Sequence, residues 1–560
     1  MALPTGLVPK SVIALRNYNL SKFASDLVAG LTVGLVALPL AMAFAISSGV
    51  SPQAGLYTAI FAGFIISALG GSLTQIGGPT GAFVVVVAGI VQKHGIDGLY
   101  MCTLMAGVLL ILLGITGLGN AVKFIPRPVV IGFTNGIAVL IASTQIKDFF
   151  GLRIEQVPSE FTARITTIAE NFGSLSVTTT VLATASLALI LLFARFVKRV
   201  PGSIIALILG TGFAWFLGLP VETIESRFGG IPQGLPAIHF PTFRADLILP
   251  LLSATFTVTM LGAIESLLSA VVSDRMSGDR HNPNMELVGQ GVANFISPLV
   301  GGLPATGAIA RTATNIRSGA KSPVAGMIHA LTLLIILIAG TNLAKHIPLS
   351  VLAAILFVVS YNMGEWREIP EILKLSKADV AVWLITFGLT VFADLTVAVE
   401  AGMILAALLY INRVTSTTTV EKVTQEYIEE GRRHSLQWVE IPDEVAIYRI
   451  HGPFLFGASD KLARIDDELE TLPKVVVFRV RNMTAIDGTG LHALENLAEK
   501  LRESGRSLII CGMRAQPAKL MEQAEFHRHI GDENIVSSLE EAVKRSKELL
   551  VMQSAPPDQS

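Results

Sequence analysis

Apolar runs separated by short polar or basic clusters fill the chain from Leu27 to about residue 415, where ordinary mixed sequence takes over. A helix needs about 20 apolar residues to cross a bilayer, and fewer where it is broken and lines a cavity. Runs that qualify begin near Leu27, Ala54, Leu99, Pro128, Val177, Ser203, Leu247, Leu287, Pro323, Leu349, Val380 and Val397. Two more, Gly81 to Gln92 and Thr306 to Ile316, are too short to span alone. Taken as half-length spans, they bring the expected total to about fourteen.

The basic residues test this threading, because cytoplasmic loops carry an excess of Lys and Arg. With Lys10, Arg16 and Lys22 inside, every second connection should be basic. Lys123 and Arg127, then Arg195, Lys198 and Arg199, then Arg275 and Arg280 follow that alternation. Arg317 and Lys321, Arg367 and Lys374, and finally Arg413 continue it, while Lys147, Arg153 and Lys345 are exceptions. The pattern predicts a multi-pass protein of the cell (inner) membrane with both termini cytoplasmic. No small-residue cleavage site follows a short apolar core at the N-terminus, so Leu27 to Val50 is expected to be a retained span.

Composition agrees with the spans. Of 560 residues, 51% are hydrophobic and 15% are charged, against about a quarter charged in soluble domains. Mean hydropathy is +0.60. A net charge of -1 gives no basic field for nucleic acid. Cys102 and Cys511 are the only cysteines and lie in segments of different character, which argues against a disulfide scaffold or a cysteine metal site.

Beyond about Val420 the pattern reads strand, helix, strand, helix. Val445 to Ile450, Lys474 to Val480 and Ser507 to Gly512 read as strands. Gly490 to Glu503, with Leu491, Leu494, Leu497, Ala498 and Leu501, reads as an amphipathic helix, as does Glu540 to Leu550. No triad, Walker loop or metal-ligand spacing occurs, so neither an enzyme nor a bound cofactor or metal is expected. In the loop Asp487-Gly488-Thr489-Gly490, Asp487 or Thr489 is placed to cap the following helix. The expected division is an N-terminus at 1–22, a transmembrane domain at 23–415, a linker at 416–440, a small α/β domain at 441–550 and a disordered tail at 551–560.

One internal echo stands out. Gly77-Gly78-Pro79-Thr80-Gly81-Ala82-Phe83 resembles Gly301-Gly302-Leu303-Pro304-Ala305-Thr306-Gly307-Ala308-Ile309, and each stretch approaches the third span of its half. Short, interrupted segments at corresponding positions point to a transporter site near the midplane. A half-helix that begins inside the membrane leaves its first N–H groups unpaired and directs partial positive charge there. Two such ends together make an anion site. The alternative is that Gly and Pro here serve close helix packing.

Glu265 is alone among apolar residues from Leu261 to Val272. A carboxylate at membrane depth costs several kcal/mol and marks function by default. A proton carrier that charges and discharges with conformation would need such a group; a structural acid bonded to a neighbouring helix is the other reading. Ser269 lies one helical turn on and shares its face. Arg311, one turn into the second broken segment, either adds positive potential to an anion site, with Asn315, or snorkels to the interface with Arg317. Gln290 and Asn294 read as interhelical hydrogen-bonding residues. Asp394 and Glu400 read as solvated turn residues. Phe44, after Pro39 in the first span, either caps a cavity or simply packs.

The spans containing Pro39-Leu40-Ala41-Met42-Ala43-Phe44, Gly78-Pro79-Thr80-Gly81, Leu261 to Leu268, Gly289-Gln290-Gly291, and Ala310-Arg311-Thr312 through Ser322 resemble the sulfate permease (SulP) anion transporters. The tail is similar to a STAS domain, and together the likeness runs from about residue 20 to 550. It is nearest to bacterial proton-coupled sulfate and dicarboxylate carriers. The resemblance implies two inverted seven-span repeats, a core domain moving against a gate domain, and a homodimer. It places Thr80, Gly81 and Ala82 opposite Ala308, Ala310 and Arg311 in an anion pocket, with Leu40 and Phe44 from the first span. Leu40 stands where some members have Gln, and Ala308 and Ala310 where some animal members have serines. More of the binding would then fall to backbone N–H groups. Sodium-coupled bicarbonate members look to have an Asp followed by a Thr where this chain has Glu265 and Ser269, which favours a proton over sodium. Gly488 replaces the serine that is phosphorylated in anti-sigma-factor antagonists, leaving Thr489 as the regulatory candidate beside Asp487. The reading is proton-coupled symport of sulfate, bicarbonate or a dicarboxylate. The alternatives are an anion channel, electromotile protein or exchanger without proton coupling, and a nucleobase permease, against which the STAS-like tail and Arg311 argue.

Overall fold

The computed structural model describes residues 7–554 apart from residues 17, 120–125, 156, 159, 197–200, 231–235, 237, 239–243, 394, 424–440 and 459. Lys123, Lys198, Arg199, Asp394, linker residues 424–440, tail residues 555–560 and the side chain of Glu400 therefore lie outside the described residues. Two compact units divide at Ala406 and Ala407.

The first unit is helical. Its apolar helices are α1 (Leu20–Ser47), α2 (Pro52–Leu69), α3 (Ala82–Ile115), α4 (Arg127–Phe150), α5 (Val177–Phe196), α6 (Gly202–Phe216) and α7 (Ile248–Ser277). There follow α8 (Pro283–Ile296), α9 (Ile309–Arg317), α10 (Val324–Ala339), α11 (Leu349–Met363), α12 (Lys377–Phe392) and α13 (Leu395–Ser416). Seven helices among the described residues are long and apolar enough to cross a membrane alone. The rest are shorter, as spans broken around a cavity must be. Gly95, with φ 71° and ψ -172°, divides α3 into a short helix from Ala82 and a longer one to Ile115. With that division these helices make fourteen segments among the described residues, the number that the apolar runs predict.

The helices pack in two groups. In one, α3 lies against α7 and α8, α1 against α10, and α2 against α8 and α10. In the other, α4 lies against α11 and α12, and α5 against α6 and α11. Buried Asp26 of α1 anchors the start of α10. It accepts from Lys321 N at 2.6 Å, Ser322 Oγ at 2.6 Å and Tyr18 Oη at 2.9 Å. Lys345, an exception to the basic alternation, is offset by Glu225 at 3.0 Å.

The second unit is a mixed five-stranded sheet in the order β3 (Thr419–Lys422), β4 (Val445–Phe454), β5 (Val475–Ile486), β6 (Ser507–Cys511) and β7 (Ile535–Val536). Strand β3 is antiparallel to β4, and the other pairs are parallel. Phe478, Ile510 and Leu494 belong to the core on one face, with α14 (Asp460–Asp467), α15 (Gly488–Glu503) and α16 (Ala515–Gln523). Val477 and Ile509 face the other way, against α17 (Leu539–Ser554).

The expected linker at 416–440 is corrected at its start: α13 runs to Ser416, and Thr419–Lys422 is an edge strand. Its β-branched residues fit a pleated edge better than a flexible tether.

Candidate functional site

Strands β1 (Gly77–Gly78) and β2 (Thr306–Gly307) pair with each other, Gly77 opposite Gly307 and Gly78 opposite Thr306. The two echoed segments, more than two hundred residues apart, thus form one antiparallel ladder. Ala308 N donates to Ile76 O at 2.8 Å and extends it. Immediately after each strand a half-helix begins, with Gly81 as the cap of α3 and Ala308 as the cap of α9. The ladder therefore fixes two helix N-termini beside each other. Among the described residues, the N–H groups of Gly81, Ala82, Ala310 and Arg311 have no backbone acceptor. Each free end carries partial positive charge equivalent to roughly half a unit.

Three side chains complete this centre. Thr80 Oγ1 donates to Glu265 Oε2 at 3.1 Å, so the carboxyl reaches the residue that leads into α3. Arg311, 2% exposed, donates through Nη2 to Pro79 O, while its buried Nη1 has no hydrogen-bond partner among the described residues. The guanidinium is therefore buried and does not extend to the interface with Arg317. Gly78 makes room for it: a Cβ there would lie 2.7 Å from Arg311 Nη1, and its φ of 146° disfavours any other residue. Arg311 and Glu265 are near enough for their charges to interact.

Ser269 is buried and hydrogen-bonded to Thr312 Oγ1 at 3.0 Å, and Thr312 Oγ1 also accepts from Ile76 N at 3.0 Å. It belongs to the frame that joins the two segments and makes no hydrogen bond to Glu265 among the described residues. Phe44 is 5% exposed, and its ring edge would lie 3.3 Å from a Cβ at Gly81. Ala82 and Ala308 are buried, whereas Ala310 is exposed. On the nine-residue α9, Ala310 is on the open side, while Arg311 and Thr312 are on the buried side.

The frame contains residues that sequence reasoning passed over. Ser266 Oγ bonds Thr306 Oγ1 at 2.8 Å and accepts from Gly307 N at 3.2 Å. Ser273 Oγ bonds Thr74 Oγ1 at 2.7 Å. A stripe of serines at 266, 269 and 273, at helical spacing around Glu265, was the available signal. Asn294 holds Ala305 from both sides, donating to its carbonyl at 2.8 Å and accepting from its N–H at 2.8 Å. Asn315 donates to Thr74 O at 2.8 Å. Gln290 Nε2 donates to Glu286 Oε1 at 3.1 Å. Packing also contributes, since a Cβ at Gly77 would meet Ile66 at 2.2 Å.

In the second unit Asp487 is the N-cap of α15. Its Oδ1 accepts from Gly490 N at 2.8 Å and its Oδ2 from Phe456 N at 2.9 Å. Thr489 is exposed beside it. Losing a cap and one loop bond predicts that Asp487→Ala destabilises this domain by about 1–2 kcal/mol. Limited proteolysis of the full chain, read within 420–554, should show faster cleavage of the variant; equal rates would make the cap dispensable.

A many-span helical membrane unit with two half-helices meeting end to end, joined in sequence to an α/β domain, defines the class of membrane transporters. The chain belongs to the sulfate permease family. The sequence model of that family matches residues 23–386, and the STAS domain matches residues 438–542. YvdB of Bacillus subtilis (strain 168) is 40% identical over 93% of this chain and 97% of its own length. The bicarbonate transporter BicA of Synechocystis sp. is 31% identical over 93% of each chain. The inward-facing structure of the murine anion transporter Slc26a9 matches with a TM-score of 0.85 at 18% identity. That match covers 97% of this chain and 94% of that one, a likeness of fold. The helical membrane unit and the mixed-sheet STAS domain are thus those of sulfate and bicarbonate anion transporters, a multi-pass membrane family.

Proposed function

We propose that the protein is a secondary active transporter that carries a small anion, sulfate, bicarbonate or a dicarboxylate, together with a proton by alternating access. One observation carries the reading: the β1–β2 ladder sets the N-termini of α3 and α9 side by side, with Thr80 reaching Glu265 and Arg311 reaching Pro79. The anion takes the free N–H groups of Gly81, Ala82, Ala310 and Arg311, with Thr80 and Ala308 beside them and Phe44 closing the side toward the first span. Glu265 carries the proton, and Ser269 positions the frame around it.

The electrostatics explain the coupling. With Glu265 ionised, its charge and that of Arg311 cancel, and the anion gains little. Protonation of Glu265 leaves Arg311 and two helix ends as net positive charge, which an anion neutralises. Proton and anion therefore bind together and cross together. The two packing groups of helices supply surfaces that can move against each other, as alternating access needs.

The transport domain is taken as 23–415 in the inner membrane with both termini in the cytoplasm. The STAS domain is taken as a regulatory or assembly module of a homodimer, with Asp487 and Thr489 at its candidate regulatory loop. BicA is named a bicarbonate transporter, which supports a small oxyanion as cargo.

Proteoliposomes test the reading. An inside-alkaline pH gradient should drive uptake of labelled sulfate or bicarbonate above its equilibrium level, and a protonophore should abolish it. Competition by unlabelled anions would rank the cargo. Flux that only equilibrates, whatever the pH gradient, would replace symport with a channel or exchanger.

A further inference from the structure

In the sheet domain, the face of β5 that buries Val475 and Val477 continues to Arg479 and Arg481, since alternate residues share a face. Helix α17 covers the first pair, but its N-terminus begins only at Leu539, so the second pair is left as the floor of a groove. The groove has a volume of about 470 Å³. Its lining includes Arg479, Arg481, Arg514, Cys511, Ser538 and Glu540.

Arg481 and Arg514, against Glu540 as the one carboxylate of the described lining, give this groove a surplus of positive charge. Arg514 is held in place, its Nε donating to Arg481 O at 2.8 Å, and its Nη groups make no hydrogen bond with another described residue. The second nearby acid, Glu541, is already engaged: its Oε2 accepts from Ser537 N and Ser537 Oγ, both at 2.9 Å. Those bonds hold its carboxyl below the usual glutamate range. Burial pushes the Cys511 thiol up to about 11, so it adds no negative charge at neutral pH. The groove sits where β6 ends at Cys511, opposite Arg479 of β5, and where α17 begins, and a helix N-terminus favours an anion. Planar guanidinium groups match tetrahedral oxyanions in a way that single ammonium charges do not.

We propose that this groove binds a doubly charged tetrahedral oxyanion group, as free sulfate or phosphate or as the phosphate of a small ester. Its residues are all in the sheet domain, so the site is distinct from the half-helix ends and does not rest on the transport reading.

The test uses the full-length protein in detergent and three labelled probes: inorganic sulfate, inorganic phosphate and glycerol 3-phosphate. At least one should saturate a site at millimolar concentration or below. R481Q/R514Q should weaken that site about tenfold or more, and R481K/R514K should restore part of the affinity. Arg311→Ala should leave this site intact while affecting any anion bound at the half-helix ends. Binding of the inorganic ions as tight as that of the ester assigns the groove to free oxyanions, and preference for glycerol 3-phosphate assigns it to a phosphate ester. Saturation unchanged in R481Q/R514Q, or no saturation by any probe, would overturn the proposal.

Discussion

Glu265→Gln is expected to abolish the accumulation that an inside-alkaline pH gradient drives, while anion binding persists. One proton carried per anion down one pH unit is worth about 1.4 kcal/mol, or about a tenfold accumulation at equilibrium. Without a proton carrier the ratio should fall to that set by the anion gradient alone. The substitution is close to isosteric, and an amide oxygen can still accept from Thr80 Oγ1, now 3.1 Å from the carboxylate. The ladder and both half-helices should therefore stay in place. Like charges roughly 5 Å apart at an effective dielectric of about 20 repel by about 3 kcal/mol. Removing a carboxylate so near the first half-helix should thus make anion binding no weaker, and less dependent on pH. Labelled uptake under imposed gradients gives the drive, and equilibrium binding at several pH values gives the affinity. Proton-driven accumulation undiminished in the variant would remove Glu265 from the coupling and leave it as a structural acid.

The spans and the carboxylate could be read from the sequence because each leaves a one-dimensional trace. Apolar runs mark helices by the cost of leaving backbone groups unpaired in lipid, and a lone Glu265 is conspicuous against them. The repeat of Thr-Gly-Ala at 80–82 and 306–308 pointed to the half-helices for the same reason. What joins them left no such trace. A ladder of two residues on each side, Gly77–Gly78 with Thr306–Gly307, has no period to detect, and its partners are far apart in the chain. The fate of Arg311 was undecided because burial and snorkelling share one spacing; only the approach of Pro79 O and the space at Gly78 decide it. The same limit hid β3, α14 and α16. Short edge elements such as Thr419–Lys422 are specified by the neighbour they pair with, here β4, more than by their own pattern.

Arg311→Ala is expected to weaken anion affinity by about 30-fold, and Arg311→Lys to recover only part of that loss. A hydrogen bond or ion pair to a charged group is worth about 1.5–3 kcal/mol, and 2 kcal/mol is close to 30-fold in Kd. Two contributions are lost in the alanine variant. The first is the charge of Nη1, which is buried, has no hydrogen-bond partner among the described residues and lies against Gly78 at the foot of the first half-helix. The second is the tie from Nη2 to Pro79 O, which links the second half-helix to the approach of the first. Lysine restores a charge but not a planar fork able to hold the carbonyl and face the anion at once. The ladder itself keeps its backbone pairing and the bonds from Ser266 and Ser269, so the variant should still fold. Anion binding measured at fixed pH, beside thermal unfolding in detergent, separates these effects. A Kd unchanged in Arg311→Ala would confine the residue to the tie and leave the anion to the helix ends alone. Lost affinity in both variants, with unfolding temperatures near the parent's, would put the guanidinium itself against the anion.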